Sequence, residues 1–586
     1  MKMLDTLIKG GTIVDGLGGA PRIGDIGIKD GLIVELGDAI VADAKAVLNA
    51  AGAIVTPGFV DIHTHYDGQI SWDDEMNPSA SHGVTSVVMG NCGVGFAPVS
   101  PGGERDLIEV MEGVEDIPGT ALYEGIEWGA WETFPEYLDY IDSRKYALNI
   151  GTQIPHAAVR NYVMGERGRT NEPATADDIA KMRDIVAGGL KAGALGFSSS
   201  RTIGHRSTKG VSIPGTFAAE EEVIALTDAM KSLDKGVFEL IPAGVIGDLE
   251  QFGGEQRSTE EELDLMTRIS KATGRPVTFT LLQHAEAQEE WRRILDQVST
   301  ANQNGANLHP QVASRPIGLV TNLKTYHLFQ RRETFLRLAE LPFDEMLTEM
   351  KKPDVRAAIL SDRNIKPELP GTMENVHEVF KIAGAVLFEI EDPIDYEPTP
   401  DKSFAERAKR ANQDYEEYMY DFLIQDDGSR FAIMLSSNFC SYNHDAIYEM
   451  LSHPETVTGL SDAGAHVTLI FDGVAPTYQM THWSRDRTRG QRIPLEFIVQ
   501  KQSYKNAQLY GLHDRGSLEV GKCADINVID FEELQLLGLE VHADLPAGGK
   551  RILQPAKGYI ATFVNGVKTR ENDRDTGARP GQLLRG

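Results

Sequence analysis

The sequence predicts an α/β fold: a (β/α)8 barrel carrying a small β-sandwich built from both termini, with an insertion near the barrel mouth. Three observations predict it. Strand-like and helix-like stretches alternate through the middle of the chain, as a parallel sheet with covering helices requires. The two ends share a different grammar, short strands with tight glycine turns, and neither end can close a core alone. At 586 residues the chain also exceeds a plain barrel of about 250 residues and leaves room for additions.

In order, residues 1–57 read as paired strands, with Asp30-Gly31 as a hairpin turn. Gly58-Phe59-Val60-Asp61-Ile62 is the apolar first strand of the barrel. Thr85 to Gly90 is a buried strand after a polar loop, and Ala176 to Val186 is an amphipathic helix with Thr175 as its N-cap. A strand at Ala194 to Ser198, a helix from Ala219 to Leu233 and a strand at Gly236 to Leu240 follow. A helix around Glu261 to Thr273 and a strand at Pro276 to Leu282 come next. The last two strands are Gly305 to Val312 and Val457 to Asp462. Between them, about 325–450 is charged, helical and irregular, too long for an ordinary connection, and is expected as an insertion over the site. Strands at Gly516 to Asp530 and Ile560 to Lys568, the latter with an Asn565-Gly566 turn, complete the terminal domain. The expected organisation is a composite β-domain of 1–57 and 513–586 around a barrel of 58–512.

Composition narrows the function. A net charge of -30 argues against a nucleic-acid or anionic-membrane partner, because phosphate binding needs a basic surface. Three scattered cysteines, Cys92, Cys440 and Cys523, do not make a disulfide framework and fit a reducing compartment. The N-terminus does not read as a signal peptide, and no stretch is apolar enough to span a bilayer. A cytoplasmic location is expected. Self-association into a homo-oligomer stays open.

A barrel of this type places its chemistry at the C-terminal ends of its strands. His63 and His65 end the first strand, and alternation puts them on one face with Thr64 on the other. Cys92 follows the second strand, in Asn91-Cys92-Gly93. Ser198-Ser199-Ser200-Arg201 and His205 follow a later one, Glu239 lies within the next, His284 ends another, and Asp462 ends the last. Imidazole and thiolate suit a borderline-soft ion such as zinc, which lowers the pKa of water and polarises a carbonyl. Asp462 would take the proton from that water and return it to a leaving nitrogen. Plainer roles stand beside these: Cys92 as a small residue in a glycine turn, His284 as a polar strand end, Asp462 as a helix cap.

Pro57-Gly58-Phe59-Val60-Asp61-Ile62-His63-Thr64-His65 resembles the opening of the amidohydrolase superfamily. The run from His82 to Pro98, centred on Gly90-Asn91-Cys92-Gly93-Val94-Gly95, resembles its D-aminoacylase branch, the N-acyl-D-amino-acid deacylases. The likeness continues through His156-Ala157-Ala158-Val159-Arg160, Ala192 to Ser198 and Ser461-Asp462, and ends with Asp514 to Asp525. The resemblance implies hydrolysis of the amide of an N-acyl amino acid, D favoured, with one or two zinc ions. It assigns His63 and His65 to a weaker metal and Cys92 to a tighter one, matches His284 to the family's metal-site histidine after strand six, and gives Asp462 acid/base work. The family's histidine after strand five is missing, since this chain reads Val237-Phe238-Glu239-Leu240-Ile241 there. Either Glu239 supplies an oxygen ligand, or His205 reaches in, or the site is depleted. A substrate carboxylate calls for a guanidinium, and Arg160 and Arg201 are the candidates, with His205 beside them. Two alternatives remain: another small or cyclic amide as substrate, or a metal-depleted barrel that binds a small molecule.

Overall fold

The computed structural model describes residues 3–366, 369 and 375–586. Eight strands form one sheet: Phe59–Asp61, Val84–Met89, Asn149–Pro155, Gly196–Ser200, Val237–Ile241, Val277–Thr280, Leu308–Val312 and Val457–Thr458. Every neighbouring pair is parallel. A parallel bridge between Thr64 and Ala463, just beyond the first and last strands, joins the two edges and nearly closes the barrel.

Strands covered on both faces read as apolar runs, and Val84–Met89 is buried throughout. The third strand, Asn149–Pro155, is also wholly buried but carries Asn149 and Gln153, and so is not separable from a loop by pattern. Those polar side chains bond inside the barrel: Asn149 Nδ2 to the Thr85 carbonyl at 3.1 Å, and Gln153 Nε2 to Asn91 Oδ1 at 2.8 Å. Val60, Ile62, Val88, Leu195, Val237 and Val457 pack with Leu584 in one cluster. Burying each such side chain contributes about 1.5–3 kcal/mol.

The outer helices start where their caps say. Thr175 and Asp178 form a capping box at the head of Ala176–Ala192, and Ser258 and Glu261 do the same for Thr259–Thr273. Each N-cap of this kind is worth about 1 kcal/mol.

A nine-stranded sheet draws Leu4–Ile13, Arg22–Lys29, Leu32–Gly37, Ala44–Asn49 and Ile54–Pro57 from one end of the chain. Ile526–Ile529, Tyr559–Val564, Val567–Glu571 and Arg574–Asp575 come from the other. The two sets meet where Ile54–Pro57 runs antiparallel to Ile526–Ile529. A bridge from Leu32 to Cys523 curls the sheet over a core that includes Ile8, Ile26, Val528 and Phe563. Both hairpin turns have positive φ at each central residue, Asp30 and Gly31 at 50° and 80°, Asn565 and Gly566 at 48° and 76°.

The stretch read as helical between about 325 and 450 is only partly so. Helices such as Phe343–Met350 and Tyr415–Leu423 share a separate apolar core. They are joined by an antiparallel sheet of Gly318–Thr321, Ala432–Leu435 and Leu387–Glu389. Strands of three or four residues are too short to show a period in the sequence. No helix among the described residues is long and apolar enough to cross a membrane.

Candidate metal centre

The first strand delivers His63 and His65 to one place because Thr64 is held elsewhere. Its amide and hydroxyl both donate to the Val88 carbonyl of the second strand, at 3.2 and 2.9 Å. The two buried imidazoles meet edge to face, with ring centroids 5.4 Å apart. The Cys92 Sγ lies 3.4 Å from His63 Nε2 and 3.7 Å from His65 Nε2. Asp462 Oδ1 lies 3.3 Å and 3.9 Å from the same two nitrogens. Two imidazoles, a thiol and a carboxyl therefore converge from the ends of strands one, two and eight. With 19% of its side chain exposed, Asp462 is the member that a substrate can reach.

The backbone is bent to achieve this. Gly90, Cys92 and Gly93 all have positive φ, at 76°, 56° and 70°. A Cβ at Gly90 would come within 2.3 Å of the Gln153 carbonyl, so that position admits only glycine. Cys92 and Asp462, at 56° and 46°, are non-glycine residues in the left-handed region, each costing on the order of 1 kcal/mol or more. Asn91 ties the turn down, its amide donating to the Thr64 and Val88 carbonyls at 3.1 and 2.9 Å.

His63 is oriented through its other nitrogen. His63 Nδ1 is 2.9 Å from Gln311 Oε1, so it donates there and leaves Nε2 as a lone pair facing the cluster. His65 Nδ1 faces Glu115 Oε1 at 3.4 Å, and the other oxygen of Glu115 is 3.5 Å from His466 Nε2. Burial holds His63 down at about 4 and His466 at about 4, so both imidazoles are neutral and can ligate.

The acids tell the same story from the other side. Burial, with repulsion from Asp472 and Asp61, pushes Asp462 up to about 8. Burial raises Asp67 to about 7 and Asp61 to about 6, the latter despite accepting from Ser461 Oγ at 2.6 Å. Cys92 is pushed well up by burial and by Glu115, Glu239, Asp462 and Asp67 around it. Crowded acids between neutral imidazoles lack a positive charge, and a divalent cation supplies it. The donor set of His63, His65 and Cys92 fits such an ion by type, with the Asp462 carboxyl beside it.

Other residues singled out in the sequence fall at varying distances from this group. His63, His65 and Cys92 have donor atoms within 4.8 Å of one another, and neither Glu239 nor His284 joins that set. Glu239 Oε2 accepts from the Cys92 amide at 3.1 Å, while Oε1 has no hydrogen-bond partner among the described residues. His284 turns Nε2 to Glu290 at 2.9 Å. His205 bonds Ser200 Oγ at 2.9 Å and is lowered to about 3 by burial, with His466 and His63 adding to it.

The two arginines need correcting. Arg160 lies inside helix His156–Met164, and its Nε is 2.8 Å from the buried Glu222, which also holds His156. Arg201 Nε is 2.8 Å from the buried Glu262. A buried guanidinium requires a carboxylate partner, and these two have theirs inside the protein. Gln311, Glu115 and His466 are the residues that pattern did not single out. His466, four residues after Asp462, had a signal in its spacing; Glu115, at the end of helix Glu104–Glu115, had none.

Comparison with known proteins identifies the family. The profile of the Amidohydrolase family matches residues 46–567. An N-acyl-D-aspartate deacylase of Alcaligenes xylosoxydans xylosoxydans is 26% identical over 99% of this chain and 95% of its own. A D-aminoacylase from the same organism is 33% identical, over 33% of this chain and 37% of its own. Among solved structures, a D-aminoacylase superposes with a TM-score of 0.64 at 22% identity, each chain covered in full. The N-acyl-D-glutamate deacylase of Bordetella bronchiseptica, complexed with zinc and a phosphonate inhibitor, also gives 0.64, at 20% identity and full coverage of both chains.

Proposed function

Because the chain belongs to the amidohydrolase family, in its D-aminoacylase branch, and is a metal-dependent hydrolase of carbon–nitrogen bonds, we propose that it deacylates an N-acyl amino acid, D favoured, with zinc as its metal. The observation that carries this is the convergence of His63, His65, Cys92 and Asp462 on one point. His63, His65 and Cys92 would hold the ion, with Asp462 beside them. When bound, zinc polarises the amide carbonyl and makes water acidic enough to ionise near neutrality.

The chain's own part is proton transfer and orientation. Asp462, its charge favoured once a cation lies beside it, accepts the proton of the attacking water at Oδ1. It then donates that proton to the leaving nitrogen, which departs as a neutral amine. Gln311 keeps the His63 imidazole aimed while this happens.

We assign Arg315 to a substrate carboxylate for its place beside Asp462 and not for lack of a partner, since Asp472 holds it as Glu222 and Glu262 hold Arg160 and Arg201. Arg315 stands three residues past the seventh strand and pairs with Asp472, the carboxylate whose field reaches Asp462. Its Nη1 is buried without a partner among the described residues. Three free cysteines fit a reducing compartment, in keeping with a cytoplasmic location. The test is a panel of N-acetyl D- and L-amino acids with cyclic amides, run with and without a chelator. Chelator-sensitive hydrolysis of the N-acetyl-D compounds is expected. Turnover of cyclic amides alone, or of L compounds alone, would overturn the substrate assignment.

A further inference from the structure

A second group of ligating side chains lies outside the centre described above: Glu397, His444 and His482 have donor atoms within 4.8 Å of one another. His444 precedes helix Asp445–Ser452, and His482 sits in the widened π-helical turn Gln479–Asp486 beyond the eighth strand. Such widened turns recur at functional positions. Glu397 comes from the insertion and is buried.

The two imidazole nitrogens face each other, His444 Nδ1 to His482 Nε2 at 3.2 Å. Ligand nitrogens about 2.0–2.1 Å from a tetrahedral zinc stand about 3.3–3.4 Å apart, so this spacing already matches. His444 is fully buried, and its Nε2 has no hydrogen-bond partner among the described residues. Hydrogen bonding at both nitrogens therefore does not explain why an imidazole is buried here. The Tyr478 hydroxyl is 3.4 Å from His444 Nδ1, and its ring stacks on His482 at 4.8 Å between centroids.

The charges around the group balance. Arg487 touches Glu397 at 3.2 and 3.3 Å, but its shorter contact is to Asp445 at 2.8 Å. Arg489 also donates to the Glu397 carbonyl, so two guanidiniums balance the two carboxylates. A cavity of about 440 Å³, lined by Glu397, Tyr478 and His482 among others, gives an ion a way in.

We propose that Glu397, His444 and His482 form a second divalent-metal site, taking a borderline ion such as zinc and fastening the insertion to the barrel. The ligands are nitrogen and oxygen only, so its ion lacks the thiolate that marks the Cys92 centre. It holds structure and takes no part in hydrolysis.

The test uses the full chain and cobalt(II) as the probe. Wild-type protein is expected to bind one equivalent more than His482→Gln. The variant should keep both its hydrolytic rate and the thiolate-to-cobalt absorption of Cys92. Equal stoichiometry in the two proteins overturns the proposal. Anomalous diffraction at the zinc edge from wild-type crystals gives a result independent of how the variant folds. A peak bounded by Glu397, His444 and His482 supports the site, and its absence from crystals that show a peak at Cys92 sinks it.

Discussion

Gln311 offers a sharp prediction, because it acts on the metal without touching it. Its amide is buried, its Nε2 has no partner among the described residues, and Oε1 accepts from His63 Nδ1 at 2.9 Å. Gln311→Leu keeps the volume and strands a buried N–H on His63, which costs about 1–3 kcal/mol. Removing outer partners of ligating histidines weakens metal by about 10–100-fold, the same range. Zinc affinity, measured by competition with a chromophoric chelator, should fall by about that factor, while Gln311→Glu, which keeps an acceptor, should hold it. Gly459 gives an independent route to the same end. A Cβ there would lie 2.4 Å from Gln311 Oε1, so Gly459→Ala must push the amide off His63. Unchanged zinc affinity in both Gln311→Leu and Gly459→Ala would refute the claim that His63 is a ligand aimed by Gln311.

Three other perturbations follow from the geometry. Asp462→Asn should retain metal yet lose about 10²–10⁴-fold in rate, read as kcat with metal content measured in parallel; a variant that kept its rate would remove Asp462 from proton transfer. Cys92→Ser should lower metal affinity, and if metal content and rate both stay at wild-type levels, Cys92 only fills a turn. The third concerns pH. Asp61, Asp67 and Asp462 are raised in the folded protein to about 6, 7 and 8, above their ordinary values. Their stabilising share is present below about pH 4 and is lost as pH rises through those values. Chelated protein should therefore lose thermal stability from about pH 4 to 8, with the metal-loaded form falling less. Melting curves that run parallel for both forms would contradict this.

The fold was legible wherever periodicity and turn chemistry are local. The Asp30-Gly31 and Asn565-Gly566 turns and the Thr175 cap lie where residue type demands them. The third barrel strand was not legible, because Asn149 and Gln153 serve internal bonds that only the assembled barrel makes sense of. The short strands of the insertion hid for lack of length. At the site, strand-end logic brought His63, His65, Cys92 and Asp462 to notice. It missed Gln311 and Glu115, which face their imidazoles across fifty residues of chain or more. It also overvalued Arg160 and Arg201, since a sequence does not reveal that Glu222 and Glu262 already meet them.

The most direct measurement is zinc-edge X-ray absorption on protein carrying one equivalent of the ion, added back after chelation. The predicted spectrum has a sulfur neighbour at about 2.3 Å with nitrogen or oxygen neighbours at about 2.0–2.1 Å. The sulfur shell should vanish in Cys92→Ser, and hydrolysis should return in step with zinc uptake by the wild type. A shell of nitrogen and oxygen alone in active wild-type protein would contradict the centre built on His63, His65 and Cys92.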